Sequence, residues 1–219
     1  MNSRKVVELF FKTLLIGGVV GLVTSIFVKS SLYAGSFNPL DIKNLLVLIA
    51  WYFVYGLLYS VVSQAGFFSY LFINRFGLSI FRSFWPTVQL LVIAFVLFDL
   101  VYFPYQATKG DVSIIWYILM TAAILAVGII VSTIKAKQTN RSAFVPALFL
   151  MVVMTAIEWV PGMRTEGTDY ATIMIITLLA CNAYQLLALT RLSKVDGKAK
   201  KNNETNKVNK PDHKVSVSK

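Results

Sequence analysis

The chain has 219 residues, of which 57% are hydrophobic and only 14% charged, and its mean hydropathy is +0.68. A soluble domain carries about 25% charged residues, so this composition excludes an ordinary water-covered globular surface and points to one lipid-solvated domain. The net charge of +11 rides on an apolar body, which argues for contact with an anionic membrane face and against a nucleic-acid partner.

A membrane span needs about 20 predominantly apolar residues. Six segments satisfy this: 6–28, 42–64, 86–106, 112–134, 143–160 and 170–190. The expectation is therefore an all-α, polytopic bundle of six transmembrane helices over residues 1–192, multi-pass in the cell membrane. The first segment follows Arg4 and Lys5 as a signal peptide would, but it exceeds the ~7–15 residues of a cleavable apolar region and reads as an uncleaved span. Within it Glu8 and Lys12 stand four apart and can pair, and Gly17 and Gly21 form a GxxxG that lets a second helix approach closely.

The second segment stays apolar past its predicted end, through Phe67, Phe68 and Tyr70 to about Ile73. Beyond it Leu78, Phe81, Phe84 and Trp85 recur at helical spacing opposite Ser79, Arg82 and Ser83. Two readings fit: a short interfacial helix with Phe67, Phe68, Phe81 and Trp85 in lipid and Arg75 and Arg82 at headgroups, or a second span that runs long and tilted.

Lysine and arginine placement sets the orientation. With the N-terminus inside, the inner side holds Arg4, Lys5, Arg75, Arg82, Lys135, Lys137, Arg141 and the nine basic residues of 191–219. The outer side holds only Lys29, Lys43, Lys109 and Arg164. Both termini are then cytoplasmic. Residues 193–219, rich in Lys and Asn and without aromatic residues, are expected to form a disordered basic tail.

Ionisable and amide groups inside spans are expensive and mark candidate sites. They are Gln64 in the second span, Asp99 in the third, Glu158 near the outer end of the fifth, and Asn182 with Gln185 three apart in the sixth. Asp99 and Glu158 reach similar depth on the same side. Together they suggest a proton relay, a cation site or a polar lock between helices. Alternatively, each simply satisfies a local partner such as Tyr102 or Trp159. A small proton- or ion-coupled transporter is thus one functional reading.

Enzymatic readings lack their residues. The single histidine, His213, and the single cysteine, Cys181, leave no Ser-His pair, HExxH site or cysteine cluster. No phosphate-binding glycine loop is present. Neither a catalytic residue, a metal site nor a cofactor is expected.

Four blocks carry a family resemblance. They are Ser63-Gln64-Ala65-Gly66-Phe67-Phe68-Ser69-Tyr70 with Arg75-Phe76-Gly77-Leu78, then Val96-Leu97-Phe98-Asp99-Leu100-Val101-Tyr102-Phe103, Glu158-Trp159-Val160-Pro161, and Cys181-Asn182-Ala183-Tyr184-Gln185-Leu186-Leu187. In colinear order over residues 1–192 they resemble the KinB-signalling pathway activation proteins of endospore-forming bacilli. The resemblance implies a non-enzymatic membrane activator, partnered by a membrane sensor histidine kinase that feeds the phosphorelay starting sporulation. It carries no catalytic residue across, and it leaves Gln64, Asp99, Glu158, Asn182 and Gln185 as candidates for helix contact or signal sensing.

Overall fold

The computed structural model describes residues 3–37, 41–107, 113–163 and 168–208. The loop residues Lys109, Asp111, Arg164 and Glu166 and the tail from 209, with His213, lie outside the described residues. Among those described there is no strand. The helices are α1 (Ser3–Val28), α2 (Ser30–Phe37), α3 (Ile42–Phe81), α4 (Trp85–Ala107), α5 (Ile114–Gln138), α6 (Phe144–Phe149), α7 (Thr155–Met163) and α8 (Thr168–Val208). A five-residue π-turn, Leu150–Met154, joins α6 to α7 without a break.

Five segments are long and apolar enough to cross a membrane: Arg4–Val28, Ile42–Gln106, Ile114–Gln138, Arg141–Trp159 and Asp169–Leu189. The second is 65 residues long and contains both α3 and α4. The chain turns between them at Arg82, whose φ of 48° lies in the left-handed region, and continues through a 3₁₀ turn, Arg82–Phe84. No short separate interfacial helix forms over 67–81. Those residues continue α3, because they offer no proline and no cap before Phe81, and their buried side chains keep helical spacing through Phe67, Tyr70 and Gly77. At the other end of the chain, α8 runs helically to Val208, past the compositional boundary at 193.

The rod formed by α6, the π-turn and α7 is the centre of the molecule. Every residue from Ala147 to Ala156 is buried, and Leu150, Met151 and Val152 are wholly so. Phe67 and Tyr70 of α3, Ile93 of α4, Val131 of α5 and Leu186 of α8 pack around it. The other long helices each leave one apolar face open, for example Phe27, Leu91, Phe95, Trp116 and Phe72. Such contiguous exposed apolar surface is far beyond what a water-soluble monomer presents.

Helices α1, α3 and α8 form the second packing unit. α1 and α8 are antiparallel: the Cys181 thiol lies against the Thr13 carbonyl at one end, and Lys29 pairs with Asp169 at 2.6 Å at the other. Lys29 also sits 5.2 Å above the ring of Tyr170, a cation–π contact. α1 and α3 touch backbone to backbone. A Cβ on Gly21 would fall 2.6 Å from the Gly56 Cα, and one on Gly56 would strike the Gly17 carbonyl oxygen. The GxxxG of α1 therefore meets a third glycine, with Ser60 one turn on.

Because these contacts are to backbone, they cannot yield. Gly56→Val is expected to destabilise the folded protein by about 1–3 kcal/mol, the usual cost of overpacking. Gly35→Ala, where nothing lies within 4 Å, is expected to have little effect. Chemical denaturation of the two variants in detergent checks the contrast.

Candidate functional site

Four of the five polar residues singled out in the spans meet in one buried cluster. Gln185 on α8 donates from Nε2 to the Ser63 hydroxyl of α3 at 2.8 Å, and Ser63 donates to Asn182 Oδ1 at 2.7 Å. Asn182 in turn donates from Nδ2 to Thr155 Oγ1 and to Glu158 Oε2, each at 2.9 Å. Gln64 donates to Ser60 Oγ at 3.3 Å, and Ser60 donates to the Thr13 carbonyl of α1 at 2.9 Å. Ser60, Ser63, Thr155 and Asn182 are fully buried, and Gln64, Glu158 and Gln185 nearly so.

Local sequence explains why these groups converge. Asn182 and Gln185, three apart on α8, share one face. Ser60, Ser63 and Gln64 occupy successive turns of α3, and Gly56 and Gly66 lie on the same buried stripe. Gly66 has a specific role: a Cβ there would overlap the Glu158 carboxyl, so the missing side chain is the space the carboxyl fills. Thr155 and Glu158, three apart on α7, follow the π-turn directly. A π-turn spends one residue more than an α-turn, which re-aims the side chains that follow it, and such turns recur at functional sites.

The bonds run in one direction, from the amide of Gln185 through Ser63 and Asn182 to the carboxyl of Glu158. The chain thus ends on Glu158 Oε2, which accepts from Asn182 alone, whereas Glu158 Oε1 and Gln64 Oε1 are buried acceptors without a hydrogen-bond partner. Trp159 does not serve Glu158; its indole donates to the Ala171 carbonyl at 2.8 Å and pins α7 to α8.

Asp99 lies elsewhere. It is half-buried on α4, and no hydrogen bond joins it to Glu158 or to any other member of the cluster. A site using both carboxylates is not assembled. Tyr102 instead accepts from Gln106 at 3.2 Å.

The aromatic stretch after the second span also divides. Phe67 and Trp85 are buried, while Phe68, Phe81, Arg75 and Arg82 are exposed. Trp85 donates to Asn74 Oδ1 at 2.9 Å, stacks on Phe81 at 5.8 Å, and lies over Gly77, where no side chain would fit. Trp85 is therefore the latch of the α3–α4 hairpin. Glu8 and Lys12 pair at 2.6 Å as their spacing predicts.

Sequence reasoning missed Thr13, Ser60, Ser63, Thr155, Gly56 and Gly66. The signal was present on α3, where Gly56, Ser60 and Ser63 recur at steps of four and three. Small and hydroxyl residues at that period mark a close helix contact.

Asn182→Ala would strand the Ser63 hydroxyl and Glu158 Oε2 together, and is expected to cost about 1–3 kcal/mol or more. Gly66→Ala is expected to cost a similar ~1–3 kcal/mol by displacing the carboxyl, and its effect should be non-additive with Glu158→Gln by about 0.5–3 kcal/mol. Asp99→Asn is expected to stay within about 0.5 kcal/mol. A double-mutant cycle by denaturation in detergent reads all three.

Residues 17–192, which include every member of the cluster except Thr13, match the family described as KbaA: KinB-signalling pathway activation in sporulation. The chain is also similar to the KinB-signaling pathway activation protein of Bacillus subtilis (strain 168). The two are 38% identical over 197 residues, which cover 88% of this chain and 99% of that protein. No solved structure matches. With most of its length matched by the family and by a relative covered end to end, the chain belongs to the KbaA family of KinB-signalling pathway activation proteins.

Proposed function

We propose that this protein is an integral membrane activator of a sensor histidine kinase pathway that feeds the sporulation phosphorelay. The observation that carries this reading is the near-complete coverage of a relative whose name states pathway activation in the same signalling system. In this reading the bundle crosses the membrane six times, with α3 and α4 supplying two crossings and both termini in the cytoplasm. Lys12 on α1 and Lys29, the residue that follows its last turn, are 17 residues apart, a helical rise of about 26 Å. That span is close to the ~30 Å hydrocarbon thickness of a bilayer, and supports α1 as a full crossing with a charged group near each face.

The geometry bears on how activation works. A polar residue that recognised a kinase span directly would have to face outward. Gln64, Glu158, Asn182 and Gln185 face one another instead, so their part is to hold α1, α3, α7 and α8 in one arrangement. In this mechanism the kinase meets the exposed surface of the bundle, and the cluster sets the shape of that surface. A bias of about 1–3 kcal/mol between two kinase states, equivalent to about 5–150-fold, is enough to regulate it.

Two measurements test the proposal. Deletion in the native host should lower heat-resistant spores by a factor within that ~5–150-fold window when the pathway's other sensor kinases are removed. An activated downstream response regulator should bypass the defect. Restoring Asn182→Ala should leave a partial defect, whereas Asp99→Asn should restore sporulation fully; normal sporulation of the deletion strain would refute the activator role. Topology is checked separately in a Cys181→Ser background. Ser31→Cys should react with an impermeant maleimide on intact cells, and Thr139→Cys only after permeabilisation.

A further inference from the structure

The chain leaves α5 at Gln138 and enters α6 at Phe144 through a short elbow, and a groove of about 880 Å³ opens there. One wall is a stripe of α5 with Thr133, Ala136 and Lys137. The elbow adds Asn140 and Arg141, and α6 adds Phe144. Lys137 and Arg141 are exposed, and among the described residues neither is in an ion pair. Asn140 Oδ1 accepts from the Ser142 amide at 3.4 Å, which caps the elbow and leaves the Asn140 Nδ2 as a donor. The Thr133 hydroxyl donates to the Ile129 carbonyl at 2.7 Å. Among the described residues no carboxylate lines the groove. α8 meets α5 on another face: Lys135 donates to the Leu186 carbonyl at 2.9 Å. At about 100° per residue, Thr133, Ala136 and Lys137 stand about 100–160° around the helix from Lys135.

We infer that this groove binds the headgroup of an anionic phospholipid. The inference rests on the membrane-spanning reading above, which puts this end of α5 at the cytoplasmic face, and is independent of the kinase. Two cations and an amide donor complement a ligand that is negative and offers acceptors, as a phosphodiester does. A guanidinium can hold two phosphate oxygens at once, and an ammonium adds a mobile point charge. The volume falls among sites for whole organic molecules, about 300–1,000 Å³, and exceeds what a bare anion needs. One turn back from Thr133 the same face of α5 continues as Ile129 and Ile130, 43% and 59% exposed. A ligand that satisfies the cations and continues along this stripe carries a phosphate and acyl chains in one molecule. Free phosphate uses only the cations. An acidic protein segment would also match the cations, but not an apolar stripe that runs on into hydrocarbon depth. Basic pockets at the cytoplasmic ends of membrane helices recur as lipid-headgroup sites.

The test is native mass spectrometry of the full chain released from nanodiscs of equal phosphatidylglycerol and phosphatidylcholine, read as the ratio of the two lipids retained. The wild-type protein should favour phosphatidylglycerol by at least about fivefold, the effect of one basic residue near an anionic surface. Lys137→Gln with Arg141→Gln should lower the ratio by at least that ~5-fold factor. Lys137→Arg, which keeps the charge, should keep the preference and shows that altering this helix end does not itself destroy binding. Arg75→Gln with Arg82→Gln removes equal charge from the same proposed side, outside the groove, and should leave the ratio unchanged. An unaltered ratio in the Lys137–Arg141 variant overturns the inference, as does an equal loss in the Arg75–Arg82 variant, which would mean bulk charge. Displacement of bound phosphatidylglycerol by inorganic phosphate alone would reassign the groove to free phosphate. Equal retention of both lipids by the wild-type protein would overturn the lipid site, leave the two cations to an acidic protein segment, and leave the membrane-spanning reading intact. A protein that purifies without detergent and retains neither lipid would overturn that reading along with this one.

Discussion

The fold depends on a chain of buried polar groups that find their partners inside the bundle. Gln185, Ser63, Asn182 and Glu158 are linked donor to acceptor across three helices at 2.7–2.9 Å. Away from water a polar group left unpaired costs roughly 2–7 kcal/mol, so any arrangement that separates these helices strands several groups at once. Apolar contacts alone would not specify one packing, because the outer faces of the helices are as apolar as their inner ones. The polar chain distinguishes them, since only one rotation and one depth of each helix lets all four side chains meet.

That chain requires close helix approach, and the glycines supply it. Gly17, Gly21 and Gly56 bring the α1 and α3 backbones into contact, which puts Ser60 within reach of the Thr13 carbonyl. Gly66 makes the hole that the Glu158 carboxyl occupies. The π-turn before Thr155 adds the last adjustment, and it is formed where the protein is most completely enclosed, by residues between 0% and 3% exposed. A widened turn weakens local helix geometry, so it is tolerated where neighbouring helices hold it on all sides.

Much of this was legible in the sequence, and the limits are physical. Apolar length gave the helices: the expected segments 6–28, 86–106, 112–134 and 143–160 lie within a few residues of α1, α4, α5 and the α6–α7 rod. The rarity of amides and carboxylates in apolar runs gave Gln64, Glu158, Asn182 and Gln185. The same rule marked Asp99, which stands apart from the cluster, because rarity marks a costly group without saying which way its helix faces. It was silent on Ser63 and Thr155, since hydroxyls are too common in apolar helices to stand out. The length of α3 was hidden for another reason. Hydropathy falls near Asn74 and Arg75, while helical continuity there is decided by Trp85 folding back onto Asn74 and Gly77, a contact from outside the segment.

An interior so specified has a consequence for signalling. A bundle held by one directional polar chain does not deform by degrees: a helix shifted by a turn breaks several hydrogen bonds together, and rotated helices expose different apolar faces. Within this chain Glu158 Oε1 is a buried acceptor without a hydrogen-bond partner. A second arrangement must rebuild this chain with other partners, and a hydrogen bond gained at Glu158 Oε1 offsets only about one of the several that are broken. In the proposed activator role the interior therefore holds one surface fixed for its partner, and a ligand that changed that surface would have to supply the energy of the rearrangement through its differential affinity for the two states.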